Sequence, residues 1–126
     1  MNRYFASTGF RSAALLALAV VASAGDAEAH AFLSKASPAV GSTVATAPTD
    51  VAIWYTEAVE PAFSKIQVLD ASGKQVDKGN THVDPKDGAL LHVSVTALQP
   101  GTYKVVWQVV SVDTHHTNGD FSFTLQ

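Results

Sequence analysis

The chain has no cysteine in its 126 residues, and its single methionine is Met1. Without thiols there are no disulfides to staple a small fold and no thiolate ligands for a metal. Without an internal thioether there is no other soft sulfur ligand for a metal either. Basic charge is also scarce. Both arginines, Arg3 and Arg11, fall in the first dozen residues. From His30 onward there are six lysines, nine acids and no arginine, a formal net charge of −3. That balance gives no basic footprint for nucleic acid. A long apolar run is missing too. The run at 13–22, AALLALAVVA, is about half the ~20 residues a membrane-spanning helix needs.

What that short run does match is an export signal. A start carrying Arg3 and Arg11 and no acid precedes it, and the small-residue segment SAGDAEA follows. This order of regions reads as a secretory signal peptide. Two small-x-small sites compete for cleavage. Ala22-Ser23-Ala24 leaves Gly25 as the first residue, and Ala27-Glu28-Ala29 leaves His30. Sequence alone leaves the choice open. With cleavage after Ala29 the expected organisation is a signal at 1–29 and one domain at 30–126. That domain holds all five histidines and has no membrane span.

The rest alternates as strands do. Val51, Ile53 and Tyr55 point one way and Trp54 the other. Leu91, Val93 and Val95 share a face, as do Tyr103, Val105, Trp107 and Val109, and then Phe121, Phe123 and Leu125. Strands are expected at 31–36, 51–56, 63–69, 89–95, 102–111 and 121–125, with a short strand and loops in the polar stretch 74–88. Asp70-Ala71-Ser72-Gly73 reads as a hairpin-type turn. No segment keeps a 3.6-residue period. About seven short strands with frequent turns predict an all-β fold, a small antiparallel immunoglobulin-like β-sandwich with Greek-key connections.

Polar chemistry concentrates in one place. The stretch SVDTHHTNG, from Ser111 to Gly119, sets one carboxylate and two imidazoles within Asp113–His116. Asp113 and His115 are two residues apart, so on extended backbone they point to one side, and His116 points away unless the chain bends. Two ligands seldom hold a metal, so a third must come from elsewhere. An N-terminal His30 offers its α-amine and a ring nitrogen as a chelate. Three nitrogens and a carboxylate oxygen form a set suited to Cu(II), which also tops the divalent affinity order. His82 and His92 read as solvated, the first in a polar loop and the second on the outer face of a strand.

These segments resemble the CopC-type periplasmic copper-binding proteins. The resemblance runs through HAFLSKASPAVGS from His30, YTEAVEPAF from Tyr55, LQPGTYKVVW from Leu98, SVDTH from Ser111 and GDFSFTL from Gly119. It implies a small β-sandwich in the periplasm that binds one Cu(II) per chain, without the Met-rich Cu(I) site of some members. It implies ligation by His30 through amine and ring, and by Asp113 and His115. It therefore favours cleavage after Ala29. It places Glu57 near the site, able to orient a ligand ring. It implies a monomeric binding protein rather than an enzyme, with an inner-membrane copper transporter of the CopD type as partner. Two positions depart from the family pattern. Thr114 stands where glycine is usual, and His116 stands where proline is usual, which makes His116 a substitute or extra ligand candidate.

Two other readings compete. Lytic polysaccharide monooxygenases also hold copper with an N-terminal histidine and a second histidine on a β-sandwich. They are generally larger, and a carboxylate ligand such as Asp113 would occupy a position that oxygen chemistry needs. The remaining alternative is a metal-free interaction domain on the same scaffold.

Overall fold

The computed structural model describes residues 31–126. The expected signal peptide at 1–29 and the candidate ligand His30 lie outside the described residues. Eight strands are formed among those described: β1 (Leu33–Ser37), β2 (Thr43–Val44), β3 (Asp50–Tyr55), β4 (Lys65–Leu69), β5 (His82–Asp84), β6 (Asp87–Ser94), β7 (Gly101–Val110) and β8 (His116–Leu125). They make two four-stranded sheets, ordered β1-β3-β6-β5 and β2-β8-β7-β4. Every pair is antiparallel except β2 with β8. The chain crosses between sheets at every connection except β5 to β6 and β7 to β8, which is immunoglobulin-type wiring. The expected β-sandwich is the observed fold.

The expected alternation fills the space between the sheets. Val51, Ile53, Leu91 and Val93 from one sheet meet Ile66, Val68, Val105 and Phe123 from the other, all buried. Each side chain of this kind contributes about 1.5–3 kcal/mol on burial, so the core alone can hold a domain that has no disulfide. Tyr103, near the start of β7, donates its hydroxyl proton back to the Gln99 carbonyl. This corner is a recurrent device of immunoglobulin-like sandwiches.

The boundaries depart from expectation in three places. Pro61–Phe63 forms a 3₁₀ turn, so β4 begins at Lys65 rather than at Phe63. Proline at the turn's start and an exposed Phe63 explain the shift. His82 lies not in a loop but at the start of β5. The largest departure is β8, which begins at His116, five residues before the expected Phe121. Its inward positions there are Thr117 and Gly119, so the alternation is real but carries no apolar side chain to betray it.

Two surface carboxylates tie stability to pH. The Ser72 hydroxyl and the Lys74 and Ser72 main-chain N–H groups hold the Asp70 carboxyl below the ordinary carboxylate range. The Lys86 main-chain N–H and the His92 ring do the same for Asp84. A carboxyl depressed in the folded state stabilises the fold above its unfolded pKa of about 3.9. That contribution is lost as pH falls below this value through the lower folded one. The urea midpoint is expected to stay level from neutral pH to about 5 and then to drop with further acid. Asp70→Asn with Asp84→Asn should flatten that acid limb; a limb of unchanged steepness would contradict the assignment.

Candidate metal centre

The β7–β8 hairpin is ten residues long on each side and ends with Val110 paired to His116. The residues between, 111–115, form its turn. Ser111 organises them. It is fully buried. Its N–H donates to the His115 carbonyl at 2.9 Å, and its carbonyl accepts from the Thr114 N–H at 2.9 Å. Its Oγ accepts the His115 N–H at 3.2 Å and donates to Asp113 Oδ1. One hydroxyl therefore fixes both the carboxylate and the backbone of the histidine. The role of Ser111 was not foreseen in the sequence; a serine two residues before an aspartate was its only signal.

Asp113 and His115 do converge. Oδ1 of the first lies 3.3 Å from Nδ1 of the second, and the side chains are 41% and 36% exposed. The Ser111 hydroxyl, helped by the His115 ring and N–H, holds the Asp113 carboxyl below its usual range despite some desolvation. The result is a carboxylate ionised at neutral pH beside an imidazole, open to solvent on one side. No group of three histidine, cysteine or acidic side chains is arranged around a metal position among the described residues. Asp113 and His115 thus bring two possible donor atoms together, with no third such side chain beside them among the described residues.

The start of the described chain runs to the same place. Thr117, two residues beyond His115, donates its Oγ1 proton to the Ala31 carbonyl at 2.6 Å. Ala31 is fully buried. Next to it, the Phe32 N–H donates to Thr56 Oγ1 at 3.0 Å, and the Thr56 N–H to the Phe32 carbonyl at 2.8 Å. Ala31 and Phe32 are therefore held between the end of β3 and the start of β8, and Glu57 is the next residue after Thr56.

Three buried polar atoms have no hydrogen-bond partner among the described residues: Tyr55 Oη, Glu57 Oε1 and Trp107 Nε1. The Tyr55 and Trp107 rings meet edge to face at 5.3 Å. Burial pushes the Tyr55 hydroxyl far above its usual pKa, so it stays protonated. Buried polar groups are rarely left unpaired, so each asks for a partner.

His116 is placed elsewhere. It lines an open groove with Glu60, Phe63, Val110, Val112 and Thr114, to which neither Asp113 nor His115 contributes. His82 and His92 lie on the other sheet. Thr114 is the only non-glycine residue with positive φ, 74°, among the described residues. The turn thus imposes on a β-branched residue a conformation that costs about 1–2 kcal/mol. Thr114→Gly is expected to stabilise the fold by about 0.5–1 kcal/mol, after the unfolded-state entropy that glycine adds. Chemical denaturation checks this; a lower midpoint would contradict it.

Comparison with known proteins identifies the family. Residues 33–126 match the CopC domain model. The chain belongs to the CopC family. Copper resistance protein C of Xanthomonas campestris pv. juglandis is 33% identical over 125 residues, covering 93% of this chain and 98% of that protein. Protein YobA of Escherichia coli K12 is 33% identical over 99 residues, covering 78% of this chain and 80% of its own length. The crystal structure of CopC from Methylosinus trichosporium OB3b superposes with a TM-score of 0.73 at 35% identity, covering 77% of this chain and 94% of that one. This CopC-family chain also matches part of the copper transport protein CutJ of Bacillus subtilis, at 32% identity over 18% of CutJ's length. CopC-family members bind and carry rather than catalyse, and the monooxygenase alternative is not supported. Among the described residues, no helix is long and apolar enough to cross a membrane.

Proposed function

We propose that this chain is an exported copper-binding protein that holds one Cu(II) tightly in the periplasm, for copper resistance or transport. The ligands are the α-amine and ring of His30, the Asp113 carboxylate and the His115 imidazole. The single observation that carries this reading is the Thr117–Ala31 hydrogen bond at 2.6 Å. It holds the residue after His30 beside the strand that continues from His115. Cleavage after Ala29 makes His30 the N-terminal residue, whose amine and ring nitrogen are the chelate this reading adds to the two preset donors.

The chemistry of the donor set supports Cu(II) in particular. Nitrogen and oxygen donors with no thiolate or thioether match the +2 ion, and Cu(II) binds most tightly among the divalent first-row ions. Glu57 Oε1, buried and without a partner among the described residues, is suited to accept a hydrogen bond from His30 and so orient it. His116 falls outside the ligand set in this reading, because it lines a different groove. The names of the relatives, copper resistance protein C and copper transport protein CutJ, point to the same cargo. The protein acts as a monomer and exchanges copper with an inner-membrane transporter of the CopD type.

Copper titration of the protein beginning at His30 tests this. One tight equivalent is expected, with a d–d band and hyperfine structure from nitrogen ligands. A chain that binds Cu(II) no better than free histidine would overturn the reading.

A further inference from the structure

We infer that the outer face of the β3-β6-β5 sheet carries a second divalent metal site, built from His82, His92 and Asp84. His82 and His92 are direct cross-strand partners on β5 and β6. Such pairs stand with Cβ atoms about 4.5–5.5 Å apart. Their rings are stacked, with centroids 5.6 Å apart and planes 22° apart.

Each of the three side chains is already held by its other polar atom. His82 Nδ1 lies 2.7 Å from the Asn80 carbonyl oxygen, an acceptor only, which makes Nδ1 the donor and leaves the Nε2 lone pair free for a ligand. His92 Nδ1 lies 2.9 Å from Asp50 Oδ2, a carboxylate–histidine arrangement that again presents Nε2. Asp84 Oδ1 accepts the Lys86 N–H at 2.8 Å, which leaves Oδ2 facing His92. Metal-binding histidines and carboxylates are typically oriented by hydrogen bonds of this kind.

The contact between His92 and Asp84 then needs a cation. When the His92 ring carries a single proton, on Nδ1 toward Asp50, Nε2 and Asp84 Oδ2 are two acceptors, 3.1 Å apart. A proton can join them, and so can a metal ion. Two donors on one ion, at bond lengths of about 2.0–2.2 Å, stand about 2.8–3.1 Å apart at a right angle and about 3.3–3.6 Å apart at a tetrahedral one, and the observed contact falls between. The free arrangement stacks the two rings rather than converging them on one point. The third bond therefore requires the His82 ring to turn about χ2, a soft torsion, and to exchange its Nδ1 contact with the Asn80 carbonyl for the metal bond. Two imidazoles and a carboxylate suit Zn(II) and Cu(II). The metal displaces the His92 proton on binding. The site belongs to the first sheet and shares no residue with the Asp113–His115 turn of the second.

The test is a Zn(II) titration of the tag-free protein, followed by NMR of the 15N-labelled histidine rings. The Nε2 signals of His82 and His92 are expected to shift together and saturate at sub-millimolar Zn(II). His82→Ala should weaken the His92 response about tenfold or more, and Asp50→Asn about 10–100-fold. The response should survive His115→Ala. No shift at either ring up to millimolar Zn(II) would overturn the site and leave a proton as the shared cation. So would a His92 response unchanged by His82→Ala, or a response lost with His115→Ala. The titration of the unaltered protein decides the matter even where a variant fails to fold.

Discussion

His115→Ala is expected to lower Cu(II) affinity on the order of a thousandfold, well beyond the 10–100-fold typical of losing an outer partner. The substitution removes one of three proposed nitrogen donors. It leaves the fold intact, because His115 is partly exposed at the hairpin turn and its structural bonds to Ser111 are made by the main chain. Thermal stability of the metal-free protein should therefore be nearly unchanged while the nitrogen hyperfine pattern simplifies. Asp113→Ala should cost less affinity, since it removes a charge-bearing oxygen and leaves all three nitrogens. Competition with a chelator of known strength measures both. An affinity within a few-fold of the parent for His115→Ala would remove this residue from the site.

The second large effect concerns stability, and it lies beneath the same hairpin. A Cβ added at Gly119 would stand 2.6 Å from Trp107 Cζ2, 2.9 Å from Cε2 and 3.2 Å from Nε1. Gly119 and Trp107 are direct partners in the β7–β8 register, so the indole lies across the glycine. Trp107 is buried and packed edge-on against Tyr55, with little room to withdraw. Gly119→Ala is expected to cost about 1–3 kcal/mol, the usual range for overpacking. For a domain of this size that lowers Tm by roughly 5–20 °C. Trp107→Phe removes the struck atoms and should relieve part of the cost, so the two substitutions should be non-additive. A Tm unmoved by Gly119→Ala would contradict the close approach.

Much of this arrangement could be read from residues alone, because apolar side chains at period two leave a direct trace. Val51, Ile53 and Tyr55 of β3 and Tyr103 to Val109 of β7 face inward as their spacing predicts. The first half of β8 left no such trace, since its inward residues are Thr117 and Gly119, chosen for a hydrogen bond to Ala31 and for the space Trp107 needs. The short parallel strand β2 was equally silent, being two residues long. In the metal centre, the i, i+2 spacing of Asp113 and His115 foretold their convergence. What holds them was not legible. Ser111 acts through a turn geometry that no spacing announces, and Thr114 adopts a backbone conformation that its own type disfavours. The His82–His92 pairing was hidden for a different reason, because it depends on the register between two strands.

The proposed copper ligation requires a chain beginning at His30. The most direct measurement compares Cu(II) affinity and electron paramagnetic resonance spectra for two forms, one starting at His30 and one at Gly25. Tight binding with three nitrogen ligands is expected in the first form. In the second the amine ligand is lost and affinity falls steeply. Equal affinity and identical spectra for the two forms would contradict this ligation.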